Sequence, residues 1–116
     1  MPVFGKAFGT GAGTSPSGSV VGSDIGGQIS VTTGTAPAPS SPILTITLAS
    51  AILPAFYMVN LIPANANAAA LTGASQVYMS ISSGTLVLTS GATALTAATT
   101  YLWNYEVIYP VTTGSV

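Results

Sequence analysis

Beyond Gly22, apolar and polar residues alternate with a period of two over most of the chain, the pattern of strands with one buried face. "GGQISVTTG" puts Ile29 and Val31 on one side and Gln28, Ser30 and Thr32 on the other, and Gly34 closes the run. "ILTITLA" sets Leu44, Ile46 and Leu48 against Thr45 and Thr47. "SQVYMSISS" keeps Val77, Met79 and Ile81 in register, and "TLVLTSG" does the same with Leu86 and Leu88. Ser83-Gly84 between these two runs predicts a hairpin turn. Two further runs are largely apolar on both faces. In "AFYMVNLI", Tyr57, Val59 and Leu61 oppose Phe56, Met58, Asn60 and Ile62. In "TTYLWNYEVIY", Tyr101, Trp103, Tyr105, Val107 and Tyr109 share one face, with Leu102, Asn104, Glu106 and Ile108 on the other.

Breaks in the alternation fall where turn residues gather. "TAPAPSSP" (Thr35 to Pro42) is a proline-punctuated loop. "PANANAAALTGA" predicts one helical turn, capped by Asn65 or Asn67 and stopped by Gly73. About six strands joined by short turns, with little helix, predict an all-β chain. The expected architecture is a single antiparallel β-sandwich or jelly-roll-like domain with an extended N-terminal arm. Its divisions would be an arm over 1–21, a β-sandwich domain over 22–109 and a short tail over 110–116. The arm is rich in Gly, Ser and Thr, with Phe4 and Phe8 as its large apolar residues. Two anchors on a flexible tether suit docking on a neighbour, and a frayed terminus is the alternative.

Composition changes what the surface of such a domain must be. Hydrophobic residues are 48% of the chain and charged residues only 3%, against roughly 25% in an ordinary soluble domain. The charges are Lys6, Asp24 and Glu106, with no Arg and no His, and the net charge is −1. That leaves no electrostatic footprint for nucleic acid and no basic face for anionic lipid. A membrane span is not expected either. The most apolar stretch, Ala51 to Leu71, is interrupted by Pro54, Asn60, Pro63, Asn65 and Asn67 and has no basic flank. With no cysteine there is no disulfide framework. No charge stands between Asp24 and Glu106 to guard strand edges, so the expected partner is the chain itself or a larger assembly. The alternative is a secreted monomer coated with Ser and Thr.

The same poverty of ionisable groups argues against an enzyme. Without His or Cys there is no conventional triad base, thiolate or zinc cluster. Asp24 and Glu106 alone make a poor glycosidase pair or calcium site, so no cofactor and no metal is expected. "GTGAGT" (Gly9 to Thr14) lacks the spacing and the flanking strand and helix of a phosphate loop. The stripe of Tyr101, Trp103, Tyr105 and Tyr109 reads as core or subunit interface, a sugar-stacking platform being the alternative. Leu102 and Ile108 would then face another subunit, and Glu106 would mark where that face meets water.

Three stretches carry a resemblance: "GSDIGGQISVTTGT" (Gly22–Thr35), "VNLIPANANAAALTGASQVYMS" (Val59–Ser80) and "TTYLWNYEVI" (Thr99–Ile108). Together they resemble a group of small bacteriophage virion proteins, a β-domain of capsid decoration (cement) proteins and of phage fibre or tail tips. The resemblance implies a homotrimer on the outer surface of an icosahedral shell, held to the major capsid protein and stabilising it. Phe4 and Phe8 would anchor the arm to the shell or to a neighbour. The alternative within the same group is a trimeric fibre or tail tip that binds host-surface glycan. The chain departs from the pattern by carrying Glu106 in the closing strand and by running on through "YPVTTGSV".

Overall fold

The computed structural model describes residues 5–23, 26–47, 58–82 and 85–108. Eight strands form two four-stranded antiparallel sheets packed face to face. The strands are β1 (Gly5–Phe8), β2 (Ser17–Ser23), β3 (Gly26–Thr32), β4 (Pro42–Thr47), β5 (Met58–Pro63), β6 (Tyr78–Ser82), β7 (Thr85–Thr89) and β8 (Thr100–Ile108). One sheet runs β1-β4-β7-β6 and the other β2-β3-β8-β5. The expected antiparallel β-sandwich is what the chain forms. The first order matches strands A, B, E and D of immunoglobulin-like sandwiches, with β5 and β8 in the places of C and F. The β2–β3 hairpin pairs with β8 where the last strand of that scheme would lie. The finer jelly-roll-like winding draws no support from this order.

The two inner faces are built differently. On the β2-β3-β8-β5 sheet the register aligns Val20, Ile29, Trp103 and Pro63 in one row, and Gly22, Gly27, Tyr105 and Leu61 in the next. The Tyr105 ring thus shares its row with two residues that have no side chain, whereas Trp103 lies in a row with Ile29 and Val20. On the β1-β4-β7-β6 sheet the rows are Phe8, Leu44, Leu88, Met79 and Lys6, Ile46, Leu86, Ile81. These are aliphatic through the centre. Ile29, Val31, Ile43, Leu44, Ile46, Leu86, Leu88, Tyr101, Trp103, Tyr105 and Val107 are buried together between the sheets. Ile43 is an extra residue in β4, where the register slips between Pro42 and Leu44, and the bulge lets both Ile43 and Leu44 be buried.

Over their described residues, all six runs read from the alternation are strands, β3 to β8, while Leu48, Phe56 and Tyr57 lie outside the described residues. Ser82 pairs with Thr85, as the hairpin expectation requires, although Ser83 and Gly84 themselves lie outside the described residues. The arm requires correction. Residues 5–23, which include most of the segment expected to form an extended arm, hold β1, a 3-10 turn (Thr10–Ala12) and β2, each tied into the sandwich. The domain therefore begins at least as early as Gly5 rather than at Gly22. Apolar burial understated this segment because backbone pairing orders it: β2 matches β3 at every position from Ser17 to Ser23. Close backbone approach does the rest. A Cβ on Gly34 would collide with the Thr14 carbonyl, so the Thr14–Thr35 bridge that pins the turn into β2 requires glycine there.

Loops at the end of the sandwich that carries 33–41 and 90–99 are fastened by two buried hydroxyls. Thr33 Oγ1 donates to the Thr96 carbonyl at 2.6 Å and accepts from the Thr99 amide at 3.0 Å. Ser90 Oγ lies within bonding distance of the Ala38 and Ser41 carbonyls, at 2.9 and 3.1 Å, and accepts from the Ser41 amide at 3.0 Å. Both residues are almost wholly buried. Ala98, in the tight turn before β8, sits at φ 50°, a left-handed conformation unusual for a residue with a side chain.

Candidate interaction surface and groove

The aromatic stripe belongs to the core. Tyr101, Trp103, Tyr105 and Val107 are each 5% exposed or less, and the Tyr101 and Trp103 rings stack with centroids 5.7 Å apart and planes 11° apart. Rings buried this deeply present no open face to a sugar, which removes the stacking platform weighed for them. Tyr109, the last member expected on this face, lies outside the described residues, as does Phe4. Phe8 is half-buried and packs against its own chain's core. Its expected role as an anchor on a neighbour is therefore corrected: β1 turns the ring inward beside Leu44, and the Lys6 ammonium lies 6.0 Å from the ring centroid.

The motifs that carry the resemblance meet one another. Helix α1 (Ala66–Ala69) starts at Asn65, whose Oδ1 accepts from the Ala68 amide at 2.9 Å as an N-cap. The same oxygen accepts from the Leu102 amide at 3.2 Å, and Asn65 Nδ2 donates to the Thr100 carbonyl at 3.1 Å. Asn67 Nδ2 donates to that carbonyl as well, at 2.9 Å. Of the two expected caps, then, Asn65 is the cap, and both asparagines fasten "PANAN" to the "TTYL" entry of β8. Gly73 takes a positive φ of 61° but opens a 3-10 turn (Gly73–Ser75), while the helix ends at Ala70. The local sequence encodes the cap. The bond to a strand more than thirty residues away has no local signal.

The outer face of the β2-β3-β8-β5 sheet is a nearly uncharged plane. Its central row is Val21, Gln28, Asn104 and Ile62, with exposed apolar residues at both edges. Val21 is 72% and Ile62 51% exposed. Between them Gln28 Nε2 donates to Asn104 Oδ1 at 3.3 Å. Further along, the Thr32 and Thr100 hydroxyls share a 2.8 Å hydrogen bond. Leu102 faces this side and is half-buried, whereas Glu106, exposed on the next row beside Asn60, is the one charge among the plane's described residues. Ile108 occupies the end of β8, paired with Met58.

The four edge strands are β1, β6, β2 and β5. Among their residues only Lys6, on β1, is charged. Monomeric sheets ordinarily guard such edges with charge, and Pro63 at the end of β5 is the other guard here. The outer face of the β1-β4-β7-β6 sheet is likewise uncharged, with Ala7, Thr45, Val87 and Ser80 in one row and Tyr78, 55% exposed, on β6.

A groove of about 420 Å³ opens where α1, the 3-10 turn at Gly73–Ser75 and the 91–99 loop meet the start of β8. Polar groups from Asn67, Ser75, Thr93 and Thr99 line it, with Leu71 as apolar wall and Tyr101 beneath. A smaller cavity of about 90 Å³ lies beside Trp103, between Leu61, Leu71, Gln76 and Val77. No group of three His, Cys, Asp or Glu gathers into a metal-holding cluster among the described residues, and Asp24 lies outside them. Among the same residues no helix is long and apolar enough to cross a membrane. No family model, no curated protein and no solved structure matches this chain.

Proposed function

We propose that this chain is a structural virion protein, a capsid decoration protein that sits as a homotrimer on the outer surface of a phage icosahedral shell. It would bind the major capsid protein and stabilise the shell without catalysis. The observation that supports this reading best is the nearly uncharged surface: three of four edge strands carry no charge, and one outer face exposes Val21 and Ile62 across a neutral ladder. A surface of that kind is suited to being covered by other protein, whether copies of itself or the shell beneath. The resemblance of the Gly22–Thr35, Val59–Ser80 and Thr99–Ile108 stretches to small phage virion proteins supports it independently. Attachment would rest on apolar burial and backbone or amide hydrogen bonds rather than ion pairs, so it should be nearly indifferent to salt.

The test is to add purified protein to phage shells that lack a decoration protein and to sediment the mixture at low and at molar salt. The protein should travel with the shells at both salts and raise their melting temperature. Protein left in the supernatant, or released as salt rises, contradicts the reading.

A further inference from the structure

The groove above Tyr101 has a chemistry that the assembly reading does not use. Tyr101 is 3% exposed, and its hydroxyl oxygen accepts the Thr96 amide at 3.0 Å. Among the described residues nothing accepts the hydroxyl's own proton, although Tyr101 lines the groove. A donor buried to that degree is ordinarily paired, because leaving it unpaired costs roughly 1–3 kcal/mol. The rest of the lining is matched to it. Asn67 spends its Nδ2 on the Thr100 carbonyl and keeps its Oδ1 as an acceptor, while the Thr93 hydroxyl has no partner among the described residues. Ser75 and Thr99 each donate to a nearby carbonyl, at 2.9 Å in both cases, and retain acceptor capacity.

We propose that this groove is a binding site for a neutral saccharide, with the Tyr101 hydroxyl donating to a sugar oxygen. The lining offers one committed donor, one amide acceptor and hydroxyls able to do either, the complement of a polyol. None of the described residues that line it is charged, which gives an anion or a cation nothing to pair with. Its volume falls in the range of small-ligand sites, and Leu71 supplies an apolar wall for the C–H face of a ring. Recognition here is by hydrogen bonds along a wall, since the Tyr101 ring is already stacked on Trp103.

The experiment is a titration of the isotope-labelled full-length protein, followed by amide chemical shifts, with lactose, maltose, cellobiose and methyl α-mannoside. Glucose 6-phosphate serves as the charged comparison. At least one neutral sugar should move the signals of Asn67, Ser75, Thr93 and Thr99 with saturable dependence, and the sugar phosphate should bind more weakly. Tyr101→Phe keeps the ring and removes the donor, and should lower affinity about tenfold. Thr93→Val alters only an exposed side chain, should leave the fold intact and should lower affinity about threefold. If the tyrosine variant fails to fold, the Thr93 variant decides. The proposal is overturned if no neutral sugar shifts these signals at tens of millimolar, or if shifts fall only elsewhere. Unchanged affinity in the variants overturns it too.

Discussion

The two sheets of the sandwich bury comparable faces by different means. The β1-β4-β7-β6 sheet uses Leu and Ile of similar size, so each row fills itself. The β2-β3-β8-β5 sheet mixes sizes: Tyr105 shares its row with Gly27 and Gly22, Tyr101 with Val31 and Gly18, and Trp103 with Ile29 and Val20. The aliphatic sheet tolerates local repacking because neighbours are alike. The aromatic sheet combines rings and small residues that cannot exchange places, and it is fastened from outside by α1 through Asn65 and Asn67. Rigidity should therefore concentrate on β8, which is also the strand whose outer face carries Asn104 and Glu106.

The largest effect should come from Trp103→Ala, which removes the best-buried ring and should cost about 4 kcal/mol, read as a shift of the urea midpoint. Leu88→Ala, in the aliphatic sheet, should cost about 3 kcal/mol by the same measurement. A greater loss for Leu88→Ala than for Trp103→Ala would break the contrast between the sheets. Asn65→Ala should cost about 2 kcal/mol, because it removes a helix cap and two bonds to β8. Hydrogen exchange should then quicken at Leu102 while β4 and β7 keep their protection. Ser90→Ala, which leaves the Ser41 amide without its acceptor, should cost about 1.5 kcal/mol and loosen only the loop end. The smallest effect has the opposite sign. Ala98→Gly relieves a left-handed residue and should stabilise the fold by about 0.5 kcal/mol.

What the sequence discloses and what it conceals divide along the same physical line. Alternation reports burial, so β3 to β8 and the inward Tyr101, Trp103, Tyr105 and Val107 are legible from residue spacing alone. The cap at Asn65 is legible because an N-cap is a local event. β1 and β2 are hidden because Gly, Ser and a few apolar residues give no alternating signal when backbone pairing does the ordering. The Phe8 anchor failed for the same reason: a residue on an unsuspected strand has an inside. The groove is hidden more deeply, since Asn67, Thr93, Thr99 and Tyr101 are brought together by a helix, a loop and a strand start. Each of these residue types is unremarkable in its own stretch.

The proposed trimer is the claim on which the functional account rests, and the mass of the purified protein in solution tests it most directly. Sedimentation equilibrium across a range of concentrations should give three times the 11.4 kDa chain mass at both low and molar salt. A well-behaved monomer of 11.4 kDa at every concentration would contradict it.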